Sequence, residues 1–145
     1  LHVVTRRQRQ MCIRDRAGYK AEKIDALSLD QGIIRSRLKI KAAINNAHAF
    51  LKIQQSYSSF AQYMWSFVDH KPIHNSYRSL DEVPAKTALS DLISLSLKNH
   101  GFKFVGSTIV YAHLQAIGMV NNHLVSCFRY EEVRNLGQKC QEFGS

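Results

Sequence analysis

The sequence predicts an all-α fold, and three observations carry that prediction. Only 2 prolines and 7 glycines occur in 145 residues, a composition that favours helices over a turn-rich β architecture. Apolar residues recur at helical spacing, with Ile40, Ile44, Ala47 and Leu51 at i, i+4, i+7 and i+11. The periodic stretches are joined by short connections punctuated with Gly, Asp or Ser, as between short helices.

The length suits one domain with a real core. Apolar residues make up 45% of the chain and no run reaches the length of a membrane span, so a soluble, membrane-free protein is expected. Cys12, Cys127 and Cys140 form an odd, widely spaced set. That is no disulfide framework, and a reduced cytoplasmic setting follows.

The formal net charge is +9, and its distribution matters more than its sum. Residues 1–16 hold Arg6, Arg7, Arg9, Arg14 and Arg16 against Asp15, a net of +4. No acid occurs between Gln31 and Val68, while Arg35, Arg37, Lys39, Lys41 and Lys52 accumulate there. A solvated basic helix face and a polyanion-binding surface are both open readings.

The opening LHVVTRRQRQMCIRDR has neither helical nor strand periodicity, and lacks the apolar core of a secretory signal. It looks like translated adaptor sequence. Residues 1–16 are therefore read as a non-native leader and set aside from the fold argument. Residues 17–135 are read as the domain, and 136–145 as a polar tail.

The first helix is expected over Lys20–Leu29, stopped by Asp30-Gln31-Gly32. The second runs from about Ser36 to Gln55, its inward stripe formed by Ile40, Ile44, Ala47 and Leu51. Ser59 is a candidate cap for a third helix reaching Phe67, with Phe60, Met64 and Phe67 on one face. Asp69–Lys86 holds both prolines and reads as an irregular surface connection. A fourth helix starts after Thr87 as N-cap and ends at His100, with Gly101 beyond its end. Ser107 or Thr108 opens a fifth helix, carrying Ile109, Ala112, Ala116 and Ile117 and stopping at Gly118. A last helix is expected to include His123–Asn135.

Between the fourth and fifth helices lies a glycine-bounded hairpin, Gly101-Phe102-Lys103-Phe104-Val105-Gly106. Positive φ at the two glycines would let the backbone turn and approach another molecule closely. The amides around Gly106, Ser107 and Thr108 would then face outward at a helix N-terminus, a natural phosphate site, with Lys103 adding charge. Such a hairpin grips backbone without reading bases. The alternative is an ordinary corner packed by Phe102 and Phe104.

His123 and Cys127 stand at i, i+4 and, on a helix, would share one face as two ligands of a zinc ion. A buried Cys beside a hydrogen-bonded His is the competing reading. The acid pairs Asp81-Glu82 and Glu131-Glu132 are adjacent and so diverge on a helix. No catalytic residue is assigned from the sequence.

At these residues the chain resembles the bacterial DNA-3-methyladenine glycosylase I family, of the helix-hairpin-helix glycosylase superfamily. The motifs are GIIRSRLKIKAAINNAHAFL (32–51), MWSFVDHKP (64–72), LKNHGFKFVGSTIVYAHLQAIGMVNNH (97–123) and the following LVSC. The likeness runs from about Lys20 to Tyr130. It implies a base-excision repair enzyme, a monomer, that flips an alkylated adenine out of duplex DNA and hydrolyses its glycosidic bond. It implies DNA contact by Ile34 and Arg35 as well as Gly101, Phe102, Lys103, Phe104, Gly106, Ser107 and Thr108. It also implies a structural zinc, for which His123 and Cys127 match two of four ligands. The superfamily's frequent catalytic Asp is replaced at the matching position by Asn121. The family's N-terminal zinc ligands and base-recognising Glu have no match in residues 1–19. The resemblance thus implies a helical domain incomplete at its N-terminus and inactive in excision as it stands. The alternative function is a non-catalytic helix-hairpin-helix DNA-binding module.

Overall fold

The computed structural model describes residues 12–142, the side chains only as far as Gly137. Residues 1–11 of the set-aside leader, residues 143–145 of the tail and the Cys140 side chain lie outside the described residues. Seven α-helices and one two-stranded ladder occur among the described residues, in accord with the all-α expectation. The chain forms two compact units, one of residues up to Phe60 with Leu97–Phe104, the other of Ala61–Ser96 with the residues from Val105 onward.

The first unit is built on one long helix. Helices α1 (Ile13–Ala17) and α2 (Ala21–Leu29) both pack against α3 (Arg37–Tyr57). The α2 stop is where the sequence places it: the Asp30 side chain accepts a hydrogen bond from the Gly32 amide at 2.8 Å, closing an Asx turn. Helix α3 buries Ile40 and Ala47 of the expected stripe, with Ile44 and Leu51 half-buried. It also buries Ala42, Ala49 and Ile53. At about 100° per residue these lie roughly opposite the first stripe, so α3 is a central helix covered on two sides. A stacked pair, Phe50 and Phe60 with centroids 4.4 Å apart, continues to Phe102 at 6.1 Å from Phe60.

The second unit holds most of α4 (Phe60–Trp65), 3-10 turns at Ser66–Val68 and Leu80–Glu82, and strand β1 (Ile73–His74). It also holds most of α5 (Ala88–Asn99), then α6 (Ser107–Ala116), strand β2 (Val120–Asn121) and α7 (Phe128–Glu142). Thr87 caps α5 as expected, in a reciprocal box: its Oγ1 accepts from the Ser90 amide at 3.3 Å, and Ser90 Oγ accepts from the Thr87 amide at 2.8 Å.

Two expectations are corrected here. Part of the stretch 69–86, expected irregular, pairs in parallel with β2, Ile73 opposite Val120 and His74 opposite Asn121. Helix α6 buries Val110, Tyr111 and Leu114 and leaves Ile109, Ala112, Ala116 and Ile117 exposed, a face the sequence reading did not assign. The last helix starts at Phe128 and runs to Glu142, so His123 and Cys127 precede it in a loop. The cause is backbone demand at β2: residues 120–121 are extended in the ladder, and Asn121 Oδ1 takes the His123 amide at 3.1 Å, fixing a turn.

Candidate nucleic-acid interface

In the first unit, α5 ends in a Schellman closure. The Phe102 amide donates to Leu97 O at 3.0 Å and the Gly101 amide to Lys98 O at 2.9 Å. Gly101 takes φ +87°, the left-handed conformation this motif requires. Leu97 and Phe102 are both buried, supplying the apolar contact of the motif. The Phe102 ring is therefore core, and of the DNA candidates on this limb Lys103 and Phe104 carry exposed side chains, Phe104 at 61%. Phe104 adopts φ +58°, an uncommon conformation for an aromatic residue.

This limb is tied to α3 by two consecutive asparagines that the sequence reading did not single out. Asn46 pairs with both polar groups of the Lys103 backbone: Nδ2 donates to Lys103 O at 2.9 Å, and Oδ1 accepts from the Lys103 amide at 2.8 Å. Asn45 Nδ2 donates to Gly101 O at 2.6 Å. A signal was present: two residues of poor helix propensity side by side in mid-helix.

In the second unit, the chain continues through Val105, whose carbonyl accepts from Ser94 Oγ at 2.6 Å, into α6. Gly106 is the N-cap, at φ −65° and ψ 156°. The positive φ expected there is absent, because an N-cap residue is extended and any L residue adopts that conformation. A Cβ at Gly106 would meet nothing within 4 Å. No side chain caps α6, which leaves its first amides for an anion. Ser107 Oγ shares a hydrogen bond with the buried Ser90 at 2.7 Å and Thr108 is exposed.

Ile34 is 77% exposed and Arg35 is exposed, on the loop leading into α3. Ile33 is half-buried in a cavity of about 860 Å³ that it lines with Leu27, Ile40 and Ile44. Lys39, Lys41 and Lys52 are exposed on α3. Arg37 pairs with Asp25 at 2.8 Å, both more than half exposed, so the pair adds little to stability.

His123 and Cys127, though not helical, are brought together by the loop: Nδ1 and Sγ lie 3.8 Å apart. A tetrahedral zinc with bonds of about 2.3 Å to sulfur and about 2.05 Å to nitrogen separates such donors by about 3.6 Å. The pair fits two zinc ligands, and the same approach suits a thiol hydrogen bond. No group of three or more metal-binding side chains occurs among the described residues. Asn121 is 2% exposed. Its amide is engaged on both sides, Nδ2 donating to Tyr130 O at 3.1 Å and Oδ1 accepting from His123. It holds the loop. Nearby, Asn75 Nδ2 donates to Asn122 Oδ1 at 2.8 Å and Asn122 Nδ2 to the Tyr111 hydroxyl at 2.6 Å. Desolvation first, then the hydrogen bond with Tyr111, holds the Tyr77 phenol above its ordinary pKa.

Comparison with known proteins gives a consistent result. The methyladenine glycosylase family model matches residues 8–130, beginning inside the segment set aside above. DNA-3-methyladenine glycosylase 1 of Escherichia coli K12 is 46% identical over 114 residues, covering 79% of this chain and 61% of that protein. The Haemophilus influenzae DNA-3-methyladenine glycosylase is 43% identical over 104 residues, covering 72% and 56%. A crystal structure of 3-methyladenine DNA glycosylase I superposes with a TM-score of 0.78 at 44% identity, over 83% of this chain and 66% of that one. The Staphylococcus aureus enzyme, solved for 3-methyladenine recognition, gives 0.78 at 33% identity, over 81% and 63%. The chain thus spans about 61% and 56% of the length of the two curated relatives. Among the described residues no helix is long and apolar enough to cross a membrane. The match over residues 8–130 shows that the chain belongs to the methyladenine glycosylase family.

Proposed function

We propose that this chain carries the duplex-gripping part of a 3-methyladenine DNA glycosylase acting in base-excision repair. The observation that supports it most is the limb 101–104 of the first unit, whose backbone is held by Asn46 while Lys103 stays exposed. In the second unit, taken by itself, Gly106 presents open space before the uncapped end of α6. A Cβ at Gly106 would meet nothing within 4 Å, which leaves room for close approach of a partner at the start of α6.

The chemistry follows from the substrate. N3 methylation makes adenine cationic and a good leaving group, so the enzyme's main work is to extrude the base and hold it. Holding the flanking strand falls to Lys103 with the exposed Phe104 on the first unit and, separately, to the α6 amides on the second, each suited to phosphate oxygens. Ile34 and Arg35 form a second contact on the loop before α3, continued by the basic residues of that helix. The duplex is the partner, the protein acts as a monomer in the cytoplasm, and a pocket outside the hairpin recognises the base.

His123 and Cys127 are proposed as two ligands of a structural zinc. They would give such an ion one sulfur and one nitrogen donor, and its chemistry there would be structural, without part in bond cleavage. With two ligands alone the affinity is low. Dialysis of the purified chain against zinc is expected to leave well below one ion per chain; stoichiometric zinc that survives in Cys127→Ser would contradict this assignment.

The grip is tested by binding an unmodified duplex at several salt concentrations. Lys103→Ala is expected to weaken binding alike on all sequences and to lower the log–log salt slope by about one phosphate contact. A sequence-selective loss, or an unchanged slope, would count against the hairpin as a phosphate clamp.

A further inference from the structure

We infer that Asn46, assisted by Asn45, is a positioning residue for the DNA grip: it holds the Lys103 backbone in the gripping conformation without itself touching DNA. The inference rests on the hairpin reading above and extends it to residues that reading does not include.

The geometry is that of a strand partner. One carboxamide satisfies both the N–H and the C=O of Lys103, at 2.8 and 2.9 Å, and its neighbour takes Gly101 O at 2.6 Å. Three hydrogen bonds from a single turn of α3 thus fix the first limb of the hairpin. The limb needs fixing, because Gly101 and Phe104 both hold positive φ, and the Phe104 conformation is strained for a residue with a Cβ. An isolated loop with two such residues would spread over other conformations, and each would have to be abandoned on binding.

A purely structural role does not account for the pair. Asn is a poor helix former, and two in succession weaken α3 against Ala. The three bonds are at exposed positions, so removing the amides leaves no buried group unsatisfied; water replaces them. The limb also keeps its apolar anchor, Phe102 against Phe60, and its Schellman closure. What the amides add is order in the Lys103 backbone before DNA arrives, which lowers the conformational cost of binding.

The experiment measures affinity for an unmodified duplex against salt for the full chain, Asn46→Ala, Asn46→Ser, Lys103→Ala and the Asn46→Ala/Lys103→Ala double variant. Thermal melting and hydrogen exchange of the Lys103 amide accompany it. Both Asn46 variants are expected to melt close to the parent and to exchange the Lys103 amide faster. Their affinity should fall roughly three- to tenfold, the worth of about one to two hydrogen bonds. In the Lys103→Ala background the Asn46→Ala loss should shrink towards none, since both act through one contact. Two results would overturn the proposal while leaving the hairpin reading intact. One is unchanged affinity in folded Asn46 variants when Lys103→Ala binds weakly; the other is an equal Asn46→Ala loss in both backgrounds. A Lys103→Ala variant that binds like the parent would remove the hairpin reading and the proposal together. Should Asn46→Ala fail to fold, Asn46→Ser carries the same comparison; failure of both would assign the asparagine to folding and also overturn the proposal.

Discussion

At Gly101 the backbone turns at φ +87°, whereas Gly106, five residues on, sits at −65° with nothing within 4 Å of an added Cβ. The two glycines bound the same segment for different physical reasons, and substitution separates them. Gly101→Ala forces an L residue into the left-handed region and is expected to lower stability by about 1–2 kcal/mol. Gly106→Ala loses part of the glycine preference at an N-cap but also restricts the unfolded chain, so stability should stay within about 0.5 kcal/mol. Its effect belongs to binding: the new methyl stands before the α6 amides, and duplex affinity should fall roughly tenfold, about 1.4 kcal/mol. Denaturant melts beside duplex titrations check both. An Ala at 106 that leaves affinity untouched would contradict the close approach. At this scale the sequence marked both glycines as candidates, but not which was conformational; only φ distinguishes them. Asn45 and Asn46 were legible as oddities in a helix, and their partner 57 residues later for Asn46 was not.

At the scale of elements, helix positions were legible from caps and breakers because those signals are local. The Asx turn after α2, the Thr87 box and the glycines past α5 and α6 all act within a few residues. Faces were harder to read. The second buried side of α3 is made largely of Ala42 and Ala49, small residues that read as neutral helix formers. On α6 the apolar residues Ile109 and Ile117 are exposed while Val110 and Leu114 are buried, so apolar residues lie on both sides and no face stands out in the sequence. The ladder of β1 and β2 is two residues long, too short to leave an alternation. The loop holding His123 and Cys127 was misread as helix, yet the pair still meets, because the buried Asn121 ties the turn. Helix α7 offers an element-scale test at Gly137, where an added Cβ would lie 2.9 Å from Pro72 Cγ just before β1. Helix propensity alone predicts that Gly137→Ala stabilises by up to about 1 kcal/mol. Overlap with the proline ring costs about 1–3 kcal/mol, so a net loss of about 1 kcal/mol is expected by denaturant melt. A gain in stability would show that β1 does not constrain α7.

For the whole molecule, the charge of +9 divides between an N-terminal run and the chain from Ala17 onward, where +5 remains. The proposed grip therefore rests on placement more than on total charge, with Lys103, Arg35 and the exposed lysines of α3 set on the first unit. Family membership was legible because its motifs are contiguous and dense in the hairpin. No base-recognising residue was assigned from the sequence, and the chain spans only part of its relatives' length. A grip that reads backbone, separated from base recognition, has a direct signature. Affinity of the chain should be measured across salt on two duplexes of one sequence, one unmodified and one carrying alkylated adenine. The account predicts steep salt dependence with equal slopes and nearly equal affinities on both, because phosphates are the same in each. Binding indifferent to salt, or a strong preference for the alkylated duplex by this chain alone, would contradict it.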